Sequence, residues 1–495
     1  MASPDTRAPA TDAPDPDRWR ALSVTLVAGF MSLLDVSIVS VALPSLQRSL
    51  GAEPAAVQWV VSGYALTFGL ALVPAGRLGD ALGRRRMFLG ALAAFVVCSG
   101  LAGAAPGIGA LVAARLAQGL AAGALAPQNS GLIQQLFRDA ERGRAFGLFG
   151  AVVGISTAVG PLVGGLILAL AEGDDGWRWI FLVNVPIGVV ALVLAARFIP
   201  RTSRGPAGRI DVVGGLLLGG GVLAVLLPLV QAESGGVARL WWLFVVGAAL
   251  IAIFTRWELR TLRRGGDPLL DPRLLTRTRG YATGASLGAV YFLGFSGIWL
   301  VFALFLQTGL GYTPLQSGLS VTAFALGSAV SAAVGGRFVE RFGRGLTVLG
   351  LVGVLTGLTA TTVLVLLVPA GALTWAMAPA LLVGGLGGGL VISPNITLTL
   401  REVPVRMAGS AGGALQTGQR VGAAVGTAAL PGVFYLVLGA TGQNFPVAAA
   451  VALSGAVLSI AAALVIAVLD LRHERRARRR CAEEEAHSYG HAAHS

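Results

Sequence analysis

The 495-residue chain contains no lysine, so all 37 of its basic residues are arginine. Without Lys there is no Walker lysine to hold a nucleotide phosphate, and no amine for Schiff-base chemistry on a carbonyl or pyridoxal cofactor. Charge of any sign is scarce, at 12% of residues, against about 25% in a globular domain whose surface must be wetted. Cysteine is almost absent: Cys98 lies in an apolar stretch and Cys481 in a polar tail, with neither a disulfide framework nor a metal spacing. All four histidines, His473, His487, His491 and His494, fall in that tail. The last three are read as part of a solvated, disordered segment and not as a metal site. A membrane-embedded enzyme would expose a His or carboxylate cluster at the membrane face; this chain has none, and neither metal nor cofactor is expected.

What is abundant is apolar: 55% hydrophobic residues and 70 Gly, with a mean hydropathy of +0.76. So little charge over so many residues means that lipid is the main solvent. The net charge of +13 does not point to nucleic acid, because the Arg come in short clusters between apolar stretches and not on one basic face. Fourteen stretches are long enough to span a hydrocarbon core of about 30 Å. The first, 21–43, is too long for a cleaved signal and follows an acidic leader. With the N-terminus inside, the cytoplasmic segments carry +14 and the outer ones −2, as expected if basic loops resist translocation. The predicted organisation is a cytoplasmic leader (1–20), a six-helix bundle (21–199), two inserted helices (211–262), a second six-helix bundle (281–469) and a cytoplasmic basic tail (470–495) anchored by lipid phosphate. The fold class is thus all-α integral membrane, with both termini cytoplasmic.

An internal repeat supports the two halves. Gly76-Arg77-Leu78-Gly79-Asp80-Ala81-Leu82-Gly83-Arg84 recurs as Gly336-Arg337-Phe338-Val339-Glu340-Arg341-Phe342-Gly343-Arg344 at an offset of 260. Each copy is predicted to be a tight link between spans, with Gly allowing the turn, the acid at a helix N-terminus and the Arg in water. The first copy joins spans two and three and the second spans ten and eleven, which places two extra helices between the halves. Parallel six-helix halves are one architecture of secondary transporters.

Charges inside the membrane are costly and so are functional candidates. Asp35 lies about 12 Å of helical rise from the outer end of span one, and Arg115 lies near the outer end of span four. If they face each other, the pair is a proton switch, charged while paired and protonated when separated and dried; a static packing pair is the plainer alternative. Arg420, in span thirteen, has no carboxylate at comparable depth. Span five is studded with Gly150, Gly154, Gly160, Pro161, Gly164 and Gly165, which reads as close helix packing with a bend. Ser37, Gln118, Gln128, Asn129, Asn184, Gln416 and Gln419 are polar groups in apolar surroundings, suited to interhelix hydrogen bonds or to lining a cavity.

At these residues the sequence resembles the major facilitator superfamily, specifically its 14-span drug/proton antiporter branch. Residues 76–86, with Gly76, Asp80, Gly83, Arg84 and Arg85, resemble the loop motif that braces the cytoplasmic gate. Arg115-Leu116-Ala117-Gln118-Gly119 resembles the fourth-helix motif whose Arg is implicated in proton coupling. Gly160-Pro161-Leu162-Val163-Gly164-Gly165 resembles the antiporter motif of the fifth helix. Leu34-Asp35 through Pro44 resembles the first-helix motif, with Ser37 and Ser40 where the branch usually has Thr and Asn; Trp177-Arg178-Trp179-Ile180-Phe181, followed by Asn184, matches the usual entry to span six. The resemblance implies a monomeric proton-coupled exporter of amphiphilic small molecules such as drugs or antibiotics, working by alternating access in the cell membrane, with the proton gradient as energy source. Protons, substrate and lipid are its partners. Asp35 and Arg115 would couple protons; Ser37, Gln118, Asn129, Gln416 and Arg420 are candidate cavity residues. The C-terminal half has no carboxylate in its membrane interior, which disfavours dications and favours neutral, monocationic or, through Arg420, anionic substrates. Proton-linked uptake of a metabolite and a non-transporting sensor or scaffold are the alternatives.

Overall fold

The computed structural model describes residues 16–171, 174–201, 211–232, 235–278 and 280–492. Most of the 1–20 leader, His494, the side chains of Ser40 and Pro161, and all side chains after Glu474 lie outside the described residues. Among the described residues every regular element is helical, as apolar surroundings demand, because a helix satisfies its own backbone hydrogen bonds.

The first half runs through α1 (Arg18–Leu50), α2 (Pro54–Leu82), α3 (Arg84–Gly103), α4 (Ile108–Leu136), α5 (Asp139–Leu170) and α6 (Asn184–Phe198). Two helices follow, α7 (Val212–Val230) and α8 (Trp242–Arg263). The second half is α9 (Tyr281–Ala303), α10 (Pro314–Gly335), α11 (Arg344–Leu367), α12 (Ala370–Leu400), α13 (Ala408–Ala440) and α14 (Phe445–Ala492). Among the described residues 13 segments are long and apolar enough to cross a membrane. The 32-residue α5, some of whose side chains are not described, stands outside that number.

The helix ends follow local sequence. Pro314 opens α10 behind a reciprocal cap, in which the Thr313 hydroxyl accepts from the Gln316 N–H and the Gln316 side chain accepts from the Thr313 N–H. Asp211 caps α7 by accepting from the Gly214 N–H at 2.8 Å. The two repeat copies each turn on a glycine of positive φ, Gly83 at 100° and Gly343 at 51°. A side chain would strain either turn.

The packing is internally symmetric. In the first half α4 packs on α2 and α3, α5 on α1, and α6 on α1 and α3; in the second, α12 packs on α10 and α11, α13 on α9, and α14 on α9 and α11. The halves meet by exchange: α2 packs on α13, and α10 on α5. Glycines make both crossings possible. A Cβ on Gly409 would stand 2.6 Å from the Gly76 carbonyl oxygen, and one on Gly143 would stand 2.6 Å from that of Gly336. The pair α7 and α8 pack on each other, and α7 covers the α2–α13 crossing.

The structure departs from the sequence-based expectation at two places. The loop arginines are not all in water: Arg84 and Arg344, each the first residue of its half's third helix, are buried, because each reaches polar groups of the fourth helix, the Gly131 carbonyl at 2.7 Å and the Asn395 Oδ1 at 2.6 Å. Nor does the helix stop at the tail, since α14 continues to Ala492. Ala, Arg and Glu dominate residues 475–486 and all three favour helix.

Candidate proton-coupling and substrate site

Asp35 on α1 and Arg115 on α4 meet in the middle of the first half, both fully buried, with Arg115 Nη1 donating to Asp35 Oδ2 at 2.5 Å. The other carboxylate oxygen accepts from Gln118 Nε2 at 3.2 Å and from Asn184 Nδ2 at 3.1 Å. Asn184 also donates to Ser99 Oγ, which in turn donates to the Phe181 carbonyl. Arg115 Nε donates to the Val60 carbonyl and Nη1 also to Gln118 Oε1. Its guanidinium lies 4.2 Å from the Tyr64 ring centroid. Gly119 permits this stacking: one turn beyond Arg115, it lies so close to α2 that a Cβ would stand 2.9 Å from Tyr64 Cα. Among the described residues Arg115 Nη2 has no hydrogen-bond partner. The network is buried and charge-balanced, an arrangement in which removing either charge strands the other.

The loop motif forms a second site, where the halves cross. Asp80 accepts from Arg84 Nη2 at 2.9 Å and from the N–H groups of Gly409 at 3.0 Å and Ser410 at 2.9 Å. The acid therefore does sit at a helix N-terminus, but at that of α13 in the opposite half, where the helix dipole favours it. Arg84 also donates to the Val405 carbonyl, just before α13. Arg85 donates to the Ala196 carbonyl of α6 at 2.5 Å. In the second copy Glu340 is exposed, and Arg344 pairs instead with Asp470 on α14 at 2.6 Å. The clasp between the halves is thus built from the first copy.

In α5, Gly160 rests on Ser37 of α1 so closely that a Cβ would overlap the Ser37 side chain. Ser37 donates to the Ser156 and Leu34 carbonyls, so it serves the α1–α5 contact. Gly165 has open space where its Cβ would be. Gln118 belongs to the ion network. Asn129 is buried on α4 against Gly29 of α1. Gln416 on α13 donates to Ser130 Oγ of α4 at 3.4 Å. Arg420, half-buried, lies over the Phe68 ring at 4.3 Å.

Sequence reasoning passed over Tyr64, Phe68, Ser99 and the pairing of Arg344 with Asp470. The aromatic rings carry no signal that separates them from other apolar residues of a span, and Asp470 stands at the edge of a charged tail. Ser99 could have been flagged as a hydroxyl inside a span, like the Asn and Gln residues that were.

Two six-helix halves with the same packing, exchanged crossings and buried polar network are the fold of a membrane transporter. The sequence matches the model of the Major Facilitator Superfamily over residues 25–257 and 284–489, and the chain belongs to that superfamily. It is 38% identical over 446 residues to a probable actinorhodin transporter of Streptomyces coelicolor, covering 86% of this chain and 76% of the relative. It is 39% identical to the puromycin resistance protein pur8 of Streptomyces alboniger (85% and 82% covered) and 33% identical to the tetracenomycin C resistance and export protein of Streptomyces glaucescens (86% and 77%). Among solved structures it shares its fold with the human organic anion transporter MFSD10, with a TM-score of 0.64, 15% identity and 90% and 100% covered. The proton:xylose symporter XylE also shares the fold, with a TM-score of 0.62, 14% identity and 90% and 94% covered.

Proposed function

We propose that the chain is a proton-coupled exporter of amphiphilic small molecules, antibiotics among them, in the bacterial cytoplasmic membrane. It has fourteen spans, both termini cytoplasmic, and works as a monomer on the proton gradient with no cofactor. The observation that carries this reading is the Asp35–Arg115 pair, a buried carboxylate whose one cationic partner among the described residues sits on another helix. Protonation of Asp35 from the outside would release Arg115; deprotonation toward the cytoplasm would restore the pair. Each state favours a different approach of α1 and α4, so proton binding biases which side the cavity opens to. The Asp80 clasp to α13 serves as the inner gate, and Gly160 on Ser37 is the weld that keeps α5 and α1 moving together.

The relatives' printed roles, transport of actinorhodin, resistance to puromycin and export of tetracenomycin C, support outward transport of antibiotics here. The test is uptake into inverted membrane vesicles. An imposed gradient, acid in the lumen, should drive puromycin into them beyond the passive trapping of this amine in protein-free vesicles, and Asp35→Asn should abolish that excess; accumulation above the protein-free level only under the opposite gradient would establish uptake as the physiological direction.

A further inference from the structure

We propose that Arg420 is an anion-binding site, receiving a carboxylate, phenolate or sulfonate group of an aromatic substrate. The inference rests on the reading of the chain as a transporter of amphiphiles and adds the charge of what it carries. Arg420 lies 12 residues into the 33-residue α13, about 18 Å along the helix and so near mid-depth of a core roughly 30 Å thick. A guanidinium there is costly unless neutralised. Among the described residues it has no carboxylate partner and no hydrogen bond; its one contact of charge type is the face of Phe68.

Asp35 is not free to serve, because both its oxygens are already taken by Arg115, Gln118 and Asn184. The Tyr64 and Phe68 rings, 6.2 Å apart on one face of α2, carry the two cations side by side: Arg115 on Tyr64 and Arg420 on Phe68. One cation is balanced by Asp35 and the other is not. The local charge is therefore +1, and the missing partner is an anion.

The Arg420 side chain is also only partly covered. Along α13, Gly409 and Gly413 allow backbone contact with α2. At Arg420 an aromatic ring and a long side chain stand between the two helices, and Arg420 is half-buried where its neighbours Gly413 and Leu415 are buried. A guanidinium stacked by one face keeps its N–H edge for an oxyanion. Gln416, one turn away on the same face, holds among the described residues only the long contact to Ser130 and can add a donor. Phe68 offers a flat apolar surface beside the charge, which suits an aromatic acid over a small inorganic anion.

The test uses three probes with one ring system: 2-naphthoate, 2-methoxynaphthalene and naphthylmethyl-trimethylammonium, titrated against the purified full chain in lipid nanodiscs. The wild type should bind naphthoate more tightly than either other probe by roughly 10- to 100-fold, the worth of one charged hydrogen bond. Arg420→Gln should erase that preference while keeping the affinity for methoxynaphthalene. Gln416→Glu, which leaves Arg420 in place but sets a carboxylate one turn away, should weaken naphthoate binding alone and covers the case that Arg420→Gln fails to fold. No anion preference in the wild type, or a preference that survives in either variant, would overturn the proposal. Asp35→Asn should retain the anion preference while losing gradient-driven export, so a failure of the proton-coupling reading would show in transport and not in these titrations.

Discussion

The carboxylate of Asp80 reaches 2.9 Å across the boundary between the halves to accept the backbone N–H of Ser410. With the Gly409 N–H as second donor and Arg84 as counter-charge, it is a clasp that exists only while the two halves are together on that side. Asp80→Ala should shift the molecule toward opening at the clasp by about tenfold or more, since each hydrogen bond to a charged group contributes about 1.5–3 kcal/mol. In a background freed of Cys98 and Cys481, a Cys placed at Gln416 should become correspondingly more reactive to an impermeant maleimide added from the cytoplasmic side. Unchanged reactivity would remove the clasp from the mechanism.

The glycine-rich stretch of α5 yields a contrast between two of its glycines. Gly160→Ala drives a methyl into Ser37, whereas Gly165→Ala meets open space. The first should lower transport at least tenfold and the second should leave it within about twofold, on the ordinary cost of overpacking. Ser37→Gly should rescue Gly160→Ala in vesicle transport. Equal sensitivity at both positions would mean that the stretch acts through something other than the α1–α5 contact.

Tyr64 offers a way to separate its ring from its hydroxyl. The hydroxyl donates to the Ser32 carbonyl at 3.1 Å, while the ring carries Arg115. Tyr64→Phe should cost about 1 kcal/mol of stability and keep gradient-driven transport. Tyr64→Leu removes the aromatic face as well, a further loss of roughly 1–2 kcal/mol for a desolvated cation–π contact, and should impair coupling. Thermal unfolding and vesicle transport of the two variants check the order.

A surface pair gives the opposite case. Arg18 donates twice to Glu141, at 3.0 and 2.9 Å, and these bonds hold the Glu141 carboxyl below its usual range. The sign is that of a depressed carboxylate: its contribution is complete above the ordinary carboxylate pKa and is lost as pH falls through the lowered value. Because the pair is partly exposed and screened, Glu141→Gln should move the melting temperature only slightly at neutral pH, and less still in high salt. A large neutral-pH loss would show a stronger tie between α1 and α5 than the geometry supports.

Much of the architecture is legible in the sequence because a bilayer imposes strong rules. Apolar length marks helices, and the 260-residue offset marks two halves whose helices then pack in the same pattern. The meeting of Asp35 with Arg115 is also legible, from two deep charges of opposite sign. What escapes is whatever depends on contacts between distant helices. Nothing local in Asp80 says that its donors lie 329 and 330 residues away, nor that Arg84 and Arg344 leave water for the fourth helix of their half. Tyr64 and Phe68 read as two more apolar residues until the fold sets an arginine on each.

The central claim is that Asp35, balanced by Arg115, carries the proton. Its most direct test is puromycin accumulation by inverted vesicles containing wild type or Asp35→Asn, measured at a series of imposed pH gradients. Wild type should accumulate puromycin in proportion to the gradient and above the passive trapping of this amine in protein-free vesicles, whereas Asp35→Asn should match the protein-free vesicles at every gradient. An Asp35→Asn protein that still concentrates puromycin above the protein-free level in proportion to the gradient would contradict the account.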